Sequence, residues 1–253
     1  MTSRTTRLAM IDTFEPIGLD ELLDVAELQT REDRKYLVPI DAVDGLLERL
    51  DAPRALDIDG SRVFRYETTY YDTADLRSYL DAARRRPHRF KVRVRTYLDS
   101  ASSTLEVTVR NTRGRTVKHR LRLDAADRGV LTPMAGAFVE EHTTIDRAAK
   151  VLGNTLTTSY TRSTILVDEG AARATVDTDL RWVASGGSMA DLPAMALIET
   201  KTHGRSCTLD RILWCCGHRP TTVSKYCTGL AALRPDLPAN KWHRVLANHF
   251  RTS

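Results

Sequence analysis

Cations recur at every second position in several segments of this chain. In Lys91-Val92-Arg93-Val94-Arg95, three cations alternate with two valines. In Val117-Lys118-His119-Arg120-Leu121-Arg122-Leu123, Lys118, Arg120 and Arg122 do the same. A period of two places such residues on one face of a strand. Between these segments, Leu105, Val107 and Val109 alternate with Glu106, Thr108 and Arg110. Tyr160 and Arg162 share a face further on, as do Glu199 and Lys201, and Asp33 and Lys35. For any one strand, an apolar face on the core and a charged face in water is account enough. The whole set strains that account, because like charges on neighbouring strands destabilise pairing. Lys91, Arg93 and Arg95 set beside Lys118, Arg120 and Arg122 call for an anionic ligand. Polyphosphate or a nucleoside triphosphate has the required density of negative charge. The interleaved acids Glu106 and Glu199 are candidates to hold a divalent metal, which takes oxygen ligands and bridges phosphates.

These residues need a scaffold. Phe64 to Tyr71, Phe90 to Leu98, Thr104 to Arg110, Thr116 to Leu123, Thr157 to Val167, Ala172 to Asp179 and Ala196 to Thr202 read as strands, and Leu28 to Val38 as another. Asn111 to Gly114 and Asp168-Glu-Gly170 have turn chemistry and close two hairpins. Helical spacing marks Pro16 to Ala26, Pro39 to Leu50, Leu76 to Ala83, 133–152 with a break near His142, Leu209 to Cys216, Ser224 to Leu233 and Lys241 to Phe250. About eight mostly antiparallel strands with helices between them predict an α+β fold. Its expected form is a closed antiparallel β-barrel with helices packed outside and the cations lining the interior. One domain is expected over 16–238, after a polar, frayed N-terminus over 1–15 and before a C-terminal helix or tail over 239–253.

Composition narrows the function class. The chain has 253 residues, 42% hydrophobic and 28% charged, and a net charge of +5. This describes a globular protein, and the modest excess of charge does not demand nucleic acid. No apolar run approaches the ~18 residues of a membrane helix, and Met1 to Ala9 lacks the apolar core of a secretory signal. The four cysteines, Cys207, Cys215, Cys216 and Cys227, form no C-x-x-C pair. Reduced thiols in a cytoplasmic protein are expected, rather than a zinc site. The tryptophans and His119 read as packing residues, and the stacking aromatics of an RNA-binding sheet are missing. The basic run Arg84 to Arg89 reads as a solvated loop.

Seven segments, in order from about residue 27 to 233, resemble a known family. They are Arg31-Glu-Asp-Arg-Lys-Tyr36, Thr69-Tyr-Tyr-Asp-Thr73, Lys91-Val-Arg-Val-Arg-Thr-Tyr97, Gly114-Arg-Thr-Val-Lys-His-Arg120, Ser159-Tyr-Thr-Arg162, Ile198-Glu-Thr-Lys201 and Val223-Ser-Lys-Tyr226. Together they resemble the VTC domain, the polyphosphate polymerase module among the triphosphate tunnel metalloenzymes, in a bacterial form. The resemblance implies a tunnel that binds triphosphate or polyphosphate. It also implies transfer of the ATP γ-phosphate onto a polyphosphate chain. Arg93, Arg95, Lys118 and Arg162 would then be catalytic. Lys35, Lys91, Arg120, Tyr160, Lys201, Ser224 and Lys225 would bind phosphate, the last two at a helix start where free N–H groups favour anions. Glu199 would hold Mn2+ or Mg2+. Glu106 is left as a second metal ligand or as the partner orienting a tunnel arginine. One departure is plain: the family usually has a lysine where this chain has Thr108. A triphosphatase, or a polyphosphate-binding module with weakened catalysis, are the other outcomes. No nucleic acid is expected as a ligand. The resemblance also allows a separate membrane protein as partner.

Overall fold

The computed structural model describes residues 6–25, 32–110, 116–124, 127 and 129–250. The expected turn at Asn111 to Gly114, and the motif residues Arg31, Gly114 and Arg115, lie outside the described residues. The strands are β1 (Glu15–Ile17), β2 (Glu32–Pro39), β3 (Arg54–Leu56), β4 (Phe64–Thr73), β5 (Arg89–Tyr97), β6 (Ser102–Arg110), β7 (Thr116–Leu123), β8 (Leu152–Val167), β9 (Ala172–Ala184), β10 (Met189–Leu192) and β11 (Met195–Thr202). The helices are α1 (Ala9–Thr13), α2 (Leu19–Val25), α3 (Ile40–Leu47), α4 (Arg77–Ala83), α5 (Pro133–His142), α6 (Ala148–Val151), α7 (Thr208–Cys215), α8 (Lys225–Leu233) and α9 (His243–His249). The main strand order is β2-β11-β9-β8-β4-β5-β6-β7, with β1, β3 and β10 attached at its sides. The fold is therefore α+β, built on a large sheet in which β2–β11, β9–β11, β3–β8, β4–β5, β5–β6 and β6–β7 pair antiparallel and β1 lies parallel to β3. No hydrogen-bonded pairing joins β2 to β7 among the described residues, so "barrel" describes this sheet only loosely.

The chain forms two compact units. The first holds residues 1–65, 160–180 and 192–222. In it β11 pairs with β2 on one side and with β9 on the other. The apolar face of these strands, with Tyr36, Val38, Ala174, Val176, Ala196 and Ile198, packs with Val43, Leu46 and Leu47 of α3 and Leu209 and Leu213 of α7. Pro39 supplies a fixed φ just before α3, whose Val43, Leu46 and Leu47 fall on one helical face. Helix α7 starts in a capping box: the Asp210 carboxylate accepts from the Cys207 N–H at 3.0 Å. The same buried carboxylate accepts from the Tyr36 hydroxyl at 2.7 Å and the Thr200 hydroxyl at 2.7 Å, so it ties the helix to β2 and β11.

Residues 6–15 depart from the frayed terminus expected. Ile11 is fully buried, with Leu8 and Phe14 nearly so. The Asp44 carboxylate accepts from the Ala9 and Met10 N–H groups, and Arg62 donates to the Ile11, Asp12 and Phe14 carbonyls. The helix expected from Pro16 also starts later, at Leu19. Pro16 lies in the short strand β1, where its fixed φ suits an extended edge.

The second unit holds residues 66–159, 181–191 and 223–253. Its strands β4, β5, β6 and β7 pair antiparallel in sequence order. Val92, Val94, Leu105, Val107 and Leu123 turn one face to Ala135 and Val139 of α5 and to Ala148 of α6. Helix α5 begins at Pro133, and the Thr132 hydroxyl accepts from the Ala135 N–H at 3.3 Å. The exposure of β5 alternates strictly along its length, so Arg89, Lys91, Arg93 and Arg95 share the opposite face.

Candidate active site

The register of the second unit converts that alternation into rows. Arg95 stands opposite Thr104, and Thr104 opposite Arg122. Arg93 stands opposite Glu106, and Glu106 opposite Arg120. Lys91 stands opposite Thr108, and Thr108 opposite Lys118. The two cationic segments are thus not neighbours, as the sequence suggested. β6 lies between them and inserts two threonines and one carboxylate, which removes the direct repulsion across these rows.

Glu106 is the acid at the centre of the three rows. It is 2% exposed. One carboxylate oxygen accepts from the Arg93 Nε at 2.5 Å. The other lies 3.5 Å from an Arg95 guanidinium nitrogen and 3.4 Å from the Arg120 Nε. Burial pushes its carboxyl up, but the charges of Arg93, Arg95 and Lys118 outweigh this and hold it far below the usual carboxylate range. Lys118 feels the converse. Burial and the nearby Arg93, Arg95 and Arg120 charges lower its ammonium to about 8, against the pull of Glu106. The hydroxyl of Thr108, in the position beside Lys118, is buried and has no hydrogen-bond partner.

The first unit carries its own polar face. Glu199 is opposite Lys35 on β2 and opposite Thr175 on β9. Lys201 is opposite Asp33 and Arg173. The Lys201 ammonium donates to Glu199 and lies 3.5 Å from the Asp33 carboxylate. Arg162 of β8 donates two bonds to Asp177, from Nε at 2.5 Å and from a terminal nitrogen at 2.8 Å, and lies 5.3 Å from the centre of the Tyr160 ring. Asp177 is fully buried, so this fork fixes the plane of the guanidinium. The Thr175 hydroxyl is buried without a partner on the same strand.

Ser224 and Lys225 sit at the start of α8, as the sequence predicted. The Ser224 hydroxyl accepts from the Cys227 N–H at 3.3 Å, so it caps the helix. The helix is held from two sides. The Trp182 ring N–H donates to the Lys225 carbonyl at 2.7 Å, and the Tyr226 hydroxyl donates to Asp72 at 2.5 Å. Asp72 also accepts from the Thr73, Ser78 and Tyr79 N–H groups. Asp72 and Tyr226 lie in two of the motifs read from sequence, but only the structure shows that they bind each other.

Among the described residues, no group of three or more His, Cys, Asp or Glu side chains could hold a metal ion. Glu106 is engaged by guanidinium groups, which fits the orienting role and not a metal ligand. Glu199 offers a carboxylate beside Lys201. Among the described residues, Glu199 is thus a lone carboxylate, which a divalent ion would share with the oxygens of a phosphate ligand. The four cysteines are free thiols. His119 stacks on His142 with ring centres 3.7 Å apart, a packed pair. Trp182, Trp214 and Trp242 pack or donate inside the protein. No helix among the described residues is long and apolar enough to cross a membrane.

Comparisons with known proteins place this geometry. The chain is similar in fold to an adenylate cyclase-like protein of Bacillus halodurans, at 16% identity and a TM-score of 0.50, over 77% of this chain and 95% of that one. It is also similar to an adenylyl cyclase-like protein of Hippeastrum, described as having a dominant triphosphatase activity, at 15% identity and a TM-score of 0.49, over 84% of this chain and 100% of that one. A Vibrio parahaemolyticus protein, also adenylate cyclase-like, has 12% identity and a TM-score of 0.43, over 75% of this chain and 87% of that one. No curated protein matches. The VTC domain matches residues 30–234, most of the chain and all seven motif segments. The chain therefore belongs to the VTC domain family.

Proposed function

We propose that this protein is a polyphosphate polymerase that transfers the γ-phosphate of ATP to the end of a polyphosphate chain. The observation that carries this reading is the set of rows around Glu106. Four cations, Arg93, Arg95, Lys118 and Arg120, act on one buried carboxylate, and Lys91 stands in the adjoining row. Such a face is built to receive dense negative charge.

In the proposed reaction a terminal phosphate oxygen of polyphosphate attacks the γ-phosphorus. The bond to the ADP oxygen breaks, and the chain gains one phosphate. The attacking phosphate is already largely ionised near neutral pH, so no strong general base is needed. The protein's task is in-line positioning and neutralisation of charge on the moving group. Arg93, Arg95, Lys118 and Arg162 take that role. Lys35, Lys91, Arg120, Tyr160, Lys201 and Lys225 bind the remaining phosphates. Ser224 contributes by capping the helix that bears Lys225. Mn2+ or Mg2+ would arrive as part of the metal–nucleotide substrate, with Glu199 as the available carboxylate.

Thr108 favours a second reading, in which the same cations bind polyphosphate but turnover is weak. A triphosphatase, with water as the attacking group, uses the same clamp. The test is γ-labelled ATP with manganese and a short polyphosphate primer, run beside Arg93→Ala. A ladder of labelled chains supports the polymerase. Free phosphate alone identifies a triphosphatase, and bound polyphosphate without turnover identifies a binding module.

A further inference from the structure

The face described above does not stop at Lys91. One step further along β5 and β6, Arg89 stands directly opposite Arg110. Here no threonine or carboxylate separates the like charges, and such a pair weakens a sheet. Two more cations converge on it from other elements. Lys241 lies in the short 3-10 turn Asn240–Trp242, and Arg85 in the segment after α4. Burial, then the charges of Arg89, Arg85 and Arg110, lower the Lys241 ammonium. Burial and the Arg110 charge do the same to Arg89. The Lys241 ammonium donates to the Ala82 carbonyl at 3.3 Å, and Arg89 to the Arg86 carbonyl at 3.3 Å. Neither has a carboxylate partner among the described residues. Cations held by carbonyls and repelled by one another are a ready receptor for an anion. Lys241 lies beyond residues 30–234, the stretch that the VTC domain matches.

We propose that Arg89, Arg110 and Lys241, with Arg85 beside them, bind the trailing phosphates of a linear polyphosphate, past the rows that hold a triphosphate. The inference rests on the phosphate-binding reading of those rows. Arg89 and Arg93 are four residues apart, about 13 Å along an extended strand. Only a chain that continues past Lys91 reaches the cluster, so it discriminates by length.

The test compares binding of inorganic tripolyphosphate, long-chain polyphosphate and a single-stranded RNA homopolymer to the full chain at fixed ionic strength. The variants are Arg89→Gln with Lys241→Gln, and the charge-keeping Arg89→Lys with Lys241→Arg. The first should weaken long-chain polyphosphate about tenfold and leave tripolyphosphate within about twofold, and the second should recover most of the loss. If the double variant fails to fold, Lys241→Gln alone should lower long-chain affinity about threefold. Equal losses for both phosphates, or no loss for the long chain, would overturn the proposal. So would tighter binding of RNA than of polyphosphate at these residues. Failure of the underlying reading looks different: the unaltered protein would bind neither phosphate, or Arg93→Gln would bind tripolyphosphate as before.

Discussion

Arg93 and Glu106 face each other across the β5–β6 ladder, joined by a hydrogen bond of 2.5 Å from the guanidinium Nε. That bond makes Glu106 the counter-charge that keeps a crowded cationic face folded when no phosphate is present. Replacing it with Glu106→Gln leaves the arginines buried against one another. The free protein should lose about 3–5 kcal/mol of stability, the cost of breaking a buried pair from one side. Tripolyphosphate should then raise the melting temperature of the variant more than that of the parent. Thermal unfolding with and without tripolyphosphate checks both expectations, and equal ligand shifts would contradict the role given to Glu106.

The same carboxyl sets an acid limit. Its folded pKa lies below the ordinary 4.5, so the stability it contributes is complete above that value and is lost as the pH falls below it toward the folded value. Urea unfolding between pH 3 and 7 should show a decline at the acid end that Glu106→Gln lacks.

Lys118 sets an alkaline limit on binding. Its ammonium titrates near 8 instead of 10.5 in the free protein. Below that pH the charge is present and available to phosphate. Above it the charge is lost unless the ligand restores it, so tripolyphosphate affinity should fall as pH rises through 8, with uptake of a proton on binding. For the free protein the sign reverses: the buried charge costs stability below 8, and that cost is relieved between 8 and 10.5. Calorimetry in buffers of different ionisation enthalpy measures the proton uptake, which Lys118→Gln should abolish.

The rows were only partly legible in the sequence. Alternation in Lys91 to Arg95 and Lys118 to Arg122 reveals two cationic faces, because strand period alone decides which residues share a face. It does not reveal strand order. With β6 placed between them, Glu106 becomes the hub of the face, and direct like-charge opposition moves to Arg89 and Arg110. The three-residue strands β1 and β3 are too short to display alternation. Helix α1 did leave a signal, Leu8, Ile11 and Phe14 at every third position, which the polar residues around them obscured. The Arg162–Asp177 fork joins residues 15 apart in the chain and has no local sequence signature.

Thr108→Lys would add a third cation between Lys91 and Lys118, at the site of a buried hydroxyl without a partner. The free protein should become less stable, and tripolyphosphate should bind about tenfold tighter, the gain expected of one charge-assisted contact. Melting temperature and calorimetric affinity should therefore move in opposite directions. A variant that loses both would show that this position cannot accept a phosphate-binding cation.

Gly229 of α8 lies against the Trp182 ring, and a Cβ built there would fall 2.2 Å from a ring atom. Gly229→Ala must displace the ring or the helix and should cost about 1–3 kcal/mol. Because Trp182 also donates to the Lys225 carbonyl, the displacement moves the start of α8. Denaturant unfolding checks the stability, and a parallel fall in tripolyphosphate affinity checks the placing of Lys225.

If these cations act on a transferring phosphoryl group, the primed reaction with γ-labelled ATP should yield a ladder of labelled polyphosphate, reduced about a hundredfold or more in Arg93→Ala. A parent protein that binds ATP and polyphosphate but extends no chain, or an Arg93→Ala variant that extends chains at the parent rate, would contradict it.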